Sequence, residues 1–216
     1  NDEPSKLNAF NANSLSGAKA VVVDIADNKV NTAIQIVAPV VVTPLVDTII
    51  WGRWRGVLGE NPEVDMTKQT EAENKTIAIN NYYVLLRSKN SQGQLPSTGN
   101  FGFSLKDSQA VVFDEVKEVL TPASIENAKL NLNFAASSFN TSFELKSGKE
   151  TYSLQSQGVI ETGGTLIGEL QRYNNSTNMA VSGVVTAEKG LSASYLFQAR
   201  LDANRIASGV TYWNKK

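Results

Sequence analysis

The sequence contains neither cysteine nor histidine among its 216 residues. Without cysteine the chain cannot form disulfides, thiolate nucleophiles, iron–sulfur clusters or cysteine-type zinc sites. Without histidine it lacks the commonest general base and the commonest transition-metal ligand. The two absences exclude most hydrolase triads and most zinc and non-haem iron enzymes. We therefore expect no catalytic residue, no cofactor and no metal site.

Charge is also scarce. Charged residues make up 19% of the chain, and 20 basic residues nearly balance 21 acidic ones to give a formal net charge of -1. Nucleic acids bind proteins through a basic surplus, so we expect no nucleic-acid partner. The uncharged polar residues are largely Asn, Ser, Thr and Gln, a balance that suits exposed strand faces and polar loops.

One apolar run, residues 33–50, approaches the length of a transmembrane helix, but polar residues and prolines interrupt it. Its runs of valine favour strands, so we interpret it as buried extended chain. The later strand-like segments carry Asn, Ser, Thr, Lys and Gln at alternate positions. A barrel embedded in lipid needs a continuous apolar outer band, so we do not expect an integral transmembrane barrel.

Two regions are predicted. Residues 1–45 begin with Asn1-Asp2-Glu3-Pro4, as expected of a mature or trimmed chain, and form an N-terminal arm or a small β appendage. Residues 46–216 contain short alternating runs separated by turn residues, at the spacing of about 8–12 residues that is typical of antiparallel β-proteins. The predicted fold is all-β, a single antiparallel up-and-down barrel of about eight strands with an extended or strand-like appendage. Closure is expected because it leaves no strand edge exposed.

The pattern also predicts individual elements. Residues 47–58 are expected to be the first barrel strand, paired with the last strand, which ends at Trp213. Residues 61–75 indicate a loop and residues 76–88 one continuous strand. Residues 108–120 fit either a helix or a strand followed by a loop.

Short motifs between Trp51 and Trp213 follow a familiar order: WGRWRG, LPSTGNFGFSL, AKLNLNFAASSFNTSFEL, YSLQSQG, VSGVVTAEKGLSASYLFQA and SGVTYW. This order resembles the β-barrel at the C-terminal end of some bacterial FecR-like proteins, which is similar to the barrels of transferrin-binding protein B and related surface lipoproteins. The resemblance implies a bacterial cell-envelope protein, periplasmic or on the outer-membrane surface, or a secreted one. It also implies a protein partner and a link to iron uptake or surface signalling, and it supplies no catalytic residue.

Aromatic residues are the best candidates for binding, since they are enriched at interface hot spots. Trp51 and Trp54 are three residues apart, so an extended strand places them on opposite faces. We expect one of them in the core and the other at the surface near Arg53 and Arg55. The candidate binding residues are Trp51, Arg53, Trp54, Arg55, Tyr82, Tyr83, Glu188 and Lys189.

The leading functional prediction is a non-enzymatic binding module that holds a protein partner through loops at a barrel mouth. One alternative is a carrier with a hollow interior for a small apolar ligand or for haem, whose iron only tyrosine, Met66 or Met179 could ligate here. Another is a glycosidase or lyase that depends on a carboxylate pair, with Asp114 and Glu118 as candidates.

Overall fold

The computed structural model describes residues 48–89, 94–168, 177–188 and 190–216. The region predicted as an arm or appendage, residues 1–45, lies outside the described residues. The described elements are the strands β1 Ile49–Arg53, β2 Lys75–Ile79, β3 Tyr83–Arg87, β4 Asn100–Asp114, β5 Val119–Asn133, β6 Ser138–Ser147, β7 Glu150–Ile160, β8 Thr165–Gly168, β9 Ala180–Thr186, β10 Ser192–Arg200 and β11 Arg205–Lys215, and the helix α1 Met66–Glu71.

Strands β4 to β11 form a closed barrel in which each strand pairs antiparallel with the next and β11 returns to β4. The prediction of an all-β, up-and-down barrel of eight strands is confirmed. In this cyclic order β6 lies opposite β10 and β7 lies opposite β11, so contacts between those pairs cross the barrel.

The first barrel strand is not the Trp51 segment, and that prediction is wrong. Strand β4 pairs with β11 from Phe103 to Asp114, which leaves no open edge in the barrel for another strand. Strand β1 instead joins β3 and β2 in a separate three-stranded sheet of order β1-β3-β2. One face of this sheet packs on the outside of the barrel, where Leu85 joins a cluster with Val184 and Leu196.

Two further segments differ from the prediction. Residues 76–88 form a hairpin because the Asn80 side chain accepts hydrogen bonds from the backbone N–H groups of Tyr82 and Tyr83 and turns the chain between β2 and β3. The predicted loop at residues 61–75 contains α1. Asp65 caps this helix by accepting hydrogen bonds from the N–H groups of Thr67 and Lys68.

The ambiguous segment, residues 108–120, is the end of β4, a turn and the start of β5. Its helix–strand ambiguity has a physical origin. Ala110 and Val112 point into the barrel, whereas Val111 lies beneath the three-stranded sheet, so both faces of the strand are buried. Burial on both faces removes the alternation that identifies a half-exposed strand.

Side chains of the described strands fill the barrel. The Tyr195 hydroxyl on β10 lies 2.7 Å from the Thr141 hydroxyl on the opposite strand β6. The rings of Phe143 and Phe197 meet across the same two strands with their centroids 4.9 Å apart. Trp213 stacks on Tyr195 at 5.9 Å. Such close contacts between opposite walls argue against a hollow interior.

Candidate functional site

Several polar side chains inside the barrel form hydrogen bonds with one another or with the backbone, whereas the buried Ser156 hydroxyl has no partner among the described residues. The Trp213 Nε1 donates to the Thr211 hydroxyl at 2.8 Å, and that hydroxyl donates to the backbone carbonyl of Tyr195 at 3.2 Å. Across the barrel, the Thr141 hydroxyl donates to the Lys129 carbonyl at 2.9 Å. Burial raises the pKa of Tyr195, which keeps its hydroxyl neutral. A ligand entering here would have to break these bonds, so binding is better supported on the outer surface.

In the described part of the chain, three turns lie at one end of the barrel, which we call the hairpin mouth: residues 115–118 between β4 and β5, residues 148–149 between β6 and β7, and residues 201–204 between β10 and β11. The first and third turns are bonded directly. The Glu115 N–H donates to the Asn204 carbonyl at 2.8 Å, and Arg200 forms an ion pair with Glu115 at 2.8 Å. The hydrogen bond from Arg200 lowers the pKa of Glu115, so the pair stays ionised near neutral pH.

A second group of contacts bridges the hairpin mouth. Arg205 on β11 forms ion pairs with Asp202 and with Glu150, which lies on the opposite strand β7. Its guanidinium carbon also lies 5.5 Å from the ring centre of Tyr152, whose hydroxyl donates to Glu150 at 2.6 Å. Hydrogen bonds from Arg205 and Tyr152 lower the pKa of Glu150. These contacts link β7 to β11 and to the β10–β11 turn across the hairpin mouth.

Two apolar side chains project from this braced framework. Val116 is 71% exposed at the tip of the β4–β5 turn, and Val119 is 50% exposed at the start of β5. Asp114 fixes the turn because its Oδ1 accepts hydrogen bonds from the N–H groups of Val116 and Lys117. Sequence reasoning missed this site. The only signal was an apolar residue isolated within the charged stretch DEVKE.

The predicted tryptophans lie on the three-stranded sheet, away from the hairpin mouth, and Trp51 lines a groove that extends to Gly190 and Leu191 at the other end of the barrel. Trp51 packs on the barrel side, where it stacks on Tyr212 with the ring centres 6.1 Å apart. Trp54 packs on the other face with Val64 and Val84, and its Nε1 donates to the Asn80 carbonyl. The two residues are on opposite faces, as their spacing predicts. The prediction that one enters the core is wrong, because both are half-buried.

Arg53 is committed to contacts within the chain. It forms ion pairs with Glu60 at 2.7 Å and with Glu63 at 2.8 Å, and it donates to the Gln109 side chain on β4 at 3.2 Å. These contacts fasten the sheet to the barrel wall. Gly52 permits them: its φ is +146°, and a Cβ there would lie 2.7 Å from a Glu63 carboxylate oxygen.

The remaining candidates are dispersed. Arg55 is exposed, with its guanidinium carbon 6.0 Å from the centre of the Trp54 ring. Tyr83 is buried between sheet and barrel, and burial raises its pKa to about 12, while Tyr82 is half-buried beside it. Glu188 is exposed at the end of the barrel opposite the hairpin mouth, and Lys189 lies outside the described residues. The structure therefore brings Trp51, Arg53 and Tyr83 into the contact between sheet and barrel rather than into one binding site.

The carboxylates proposed for glycoside chemistry occupy a turn. Asp114 accepts backbone hydrogen bonds there, with the bond from the Lys117 N–H doing most to lower its pKa. A general acid for glycoside hydrolysis needs a raised pKa. Glu118 is an exposed turn residue with a φ of +54°. Neither arrangement supports acid–base catalysis.

The described residues include no group of three or more acidic side chains placed to hold a metal ion. The two methionines considered for haem are packed: Met179 is fully buried in the barrel core, and Met66 lies against the outer face of the sheet. Within the described part of the chain, no helix is long and apolar enough to cross a membrane.

Comparison with known proteins shows no family, ligand or partner for this chain. No protein-family model and no curated protein matches the sequence. Among solved structures, the chain is similar to isotype 1 transferrin-binding protein B from serogroup B Neisseria meningitidis, at 11% sequence identity and a TM-score of 0.37. The similarity covers 66% of this chain and 32% of that one, so the present chain spans about a third of that protein. A likeness of this degree transfers neither a ligand nor a partner, and the resemblance to FecR-like proteins stays a prediction.

Proposed function

We propose that this chain is a non-enzymatic binding module of a bacterial envelope or secreted protein, and that it holds a protein partner at the hairpin mouth. The observation that carries the proposal is the bracing of the turns around Val116 and Val119. A surface whose turns are already fixed loses little conformational entropy when a partner binds. An apolar centre with a polar rim is the general arrangement of protein interfaces.

The charges around the two valines support a polar rim. Glu115, Arg200, Asp202 and Arg205 are partly exposed, and their ion pairs are satisfied within the module. Binding a partner there would not require these charges to lose their partners, and an unpaired charge in an interface is costly. The filled barrel interior favours this surface over a carrier function. The link to iron uptake or surface signalling belongs to the same proposal and rests on the sequence resemblance alone.

Site-specific photo-crosslinking in bacterial cells that express the full chain tests the proposal. A benzoylphenylalanine at position 116 should capture a discrete protein. The same group at position 159 should not, because Val159 is 52% exposed on the outer wall toward the other end of the barrel. The captured protein should then bind the purified chain, and Val116→Asp should abolish binding whereas Val159→Asp should not. Equal capture at both positions, or full binding by Val116→Asp, would contradict the proposal.

A further inference from the structure

Among the described residues, strand β1 pairs only with β3, which makes it an edge of the three-stranded sheet. The Ser88 N–H donates to the Thr48 carbonyl, and the Trp54 N–H donates to the Tyr82 carbonyl. The backbone N–H and C=O groups of the even-numbered residues from Thr48 to Trp54 therefore point toward β3. The backbone N–H and C=O groups of Ile49, Trp51 and Arg53 face away from the sheet.

One part of this edge is covered. The Arg53 N–H donates to the Glu63 carboxylate at 3.0 Å, and the Arg53 carbonyl accepts hydrogen bonds from the N–H groups of Glu63 and Val64 at 2.8 and 2.9 Å. At Ile49 and Trp51, in contrast, the described residues supply no partner for the outward-facing N–H and C=O groups. Proteins usually protect a strand edge with a charge, a proline or a bulge, and this half of the edge has none.

The open half of the edge borders a groove of about 590 Å³ between the sheet and the outer barrel wall. Ile49 and Trp51 form one side of the groove, and the ring of Tyr212 stacks on the ring of Trp51. The groove continues toward Lys215 and Lys216, which are both exposed. It lies away from the hairpin mouth, since these lysines are at the other end of β11 from residues 201–204.

We propose that this groove binds an extended segment of a partner protein, which adds a strand to the free edge of β1. Two donor–acceptor pairs spaced two residues apart, about 6.8 Å along a strand, match the backbone of an extended peptide. Ile49, Trp51 and Tyr212 form an apolar strip that favours apolar side chains at alternate positions of that segment. The rest of the lining is largely polar and includes Asp107 and Asn214. Lys216 favours a carboxylate at the end of the segment nearest Ile49, whereas the Lys215 ammonium lies 4.3 Å from the centre of the Phe101 ring.

The groove and the hairpin mouth are independent surfaces, so this inference does not rest on the proposed function. The probe is the peptide acetyl-Glu-Thr-Val-Thr-Val-Thr-Glu-amide, which carries a carboxylate at each end and so allows either strand direction. Amide hydrogen exchange of the full chain is measured by NMR with and without the peptide. We expect exchange at Ile49 and Trp51 to slow by roughly tenfold or more. Ile50 and Gly52, which already face β3, should not change.

Two peptide controls separate backbone pairing from simple apolar contact. A central proline removes an N–H and should abolish protection of Ile49 and Trp51. Lysine in place of both glutamates should weaken binding. Lys216→Glu should weaken binding of the original peptide roughly two- to fivefold at low salt, as expected for a partly exposed ion pair. Lys149→Glu, the same charge change at the hairpin mouth, should have no effect.

Three results would overturn the inference. Ile49 and Trp51 amides that are already protected in the free, dilute chain would show that the edge is covered. Protection that rises with protein concentration alone would show that a second copy occupies it. Protection by the proline-containing peptide equal to that by the original would show that no strand is added.

Discussion

The hydroxyl groups of Tyr195 and Thr141 lie 2.7 Å apart across the barrel, on strands at opposite positions of the cyclic order. Both residues are buried, with 0% and 3% of their surface exposed. A direct bond between opposite walls requires the space between them to be filled by the chain itself. This contact distinguishes a packed barrel, which can bind a partner only at its surface, from a hollow barrel that carries a ligand inside.

Removing the Tyr195 hydroxyl should therefore destabilise the barrel. We expect Tyr195→Phe to lower the free energy of unfolding by about 1–2 kcal/mol, because the fold loses a buried hydrogen bond without losing volume. Urea denaturation measures this loss. Tyr212→Phe is the matched control, since that half-buried ring stacks on Trp51 outside the barrel, and it should change stability by less than about 0.5 kcal/mol.

A double-mutant cycle then assigns the loss to the pair. Thr141→Val combined with Tyr195→Phe should cost less than the sum of the two single changes, because residues in direct contact couple by about 0.5–3 kcal/mol. Additive effects would mean that the two hydroxyls do not interact across the barrel.

Close packing inside the barrel should also be visible at Gly209. A Cβ at this position would lie 2.4 Å from the Phe197 ring and 2.6 Å from the Gln109 carbonyl oxygen. We expect Gly209→Ala to destabilise the fold by about 1–3 kcal/mol or more through overpacking. Gly102→Ala should be neutral or slightly stabilising, because its nearest neighbour would be 3.5 Å away. Equal unfolding midpoints for the two variants would show that the interior has spare room.

Arg53 should matter for stability although Arg55 should not. Arg53→Met removes the cation that pairs with Glu60 and Glu63, which are 63% and 37% exposed, and we expect a cost of about 1 kcal/mol. Arg55→Met removes an exposed charge and should change stability by less than about 0.5 kcal/mol. Chemical denaturation of both variants compares them directly. Similar losses of stability in the two variants would contradict the role of Arg53 in joining the sheet to the barrel.

High pH should weaken the contact between sheet and barrel. Burial raises the pKa of Tyr83 from 10.0 to about 12, so the folded state holds this proton more tightly than the unfolded state does. The resulting stability is fully present below pH 10 and is lost as pH rises toward 12. The free energy of unfolding should fall less steeply between pH 9 and 11 in Tyr83→Phe than in the unaltered chain. Identical slopes would contradict this assignment.

The sequence predicted the strands whose outer faces are exposed, and it failed where both faces are buried. Leu130, Leu132 and Phe134 alternate with polar residues, and this pattern predicted a barrel strand correctly. Val84, Leu85 and Leu86 are all buried because β3 is the central strand of a sheet that is covered on both sides. Such a run has no alternation from which to infer its partners.

The pairing of strands was the other feature that the sequence did not predict. The Trp51 strand alternates like a barrel strand, but pairing depends on contacts between residues far apart in the chain, which a local pattern does not contain. The choice of candidate binding residues had the same limit, because it also relied on a local pattern. Aromatic residues were predicted to bind a partner, yet Trp51 and Tyr83 mainly join the sheet to the barrel. The exposed valines of the hairpin mouth became visible only when the folded chain brought Glu115 and Arg200 together.

The most direct test of a filled barrel is the binding of xenon, followed by NMR shifts of Leu145 and its neighbours inside the barrel. Xenon is far smaller than haem or a lipid, so an interior that excludes it excludes them too. We predict no saturable shift in the unaltered chain. Leu145→Ala, which opens an apolar cavity at a fully buried position, should show one. Saturable xenon shifts inside the unaltered barrel would contradict the packed interior and favour the alternative of a ligand carrier.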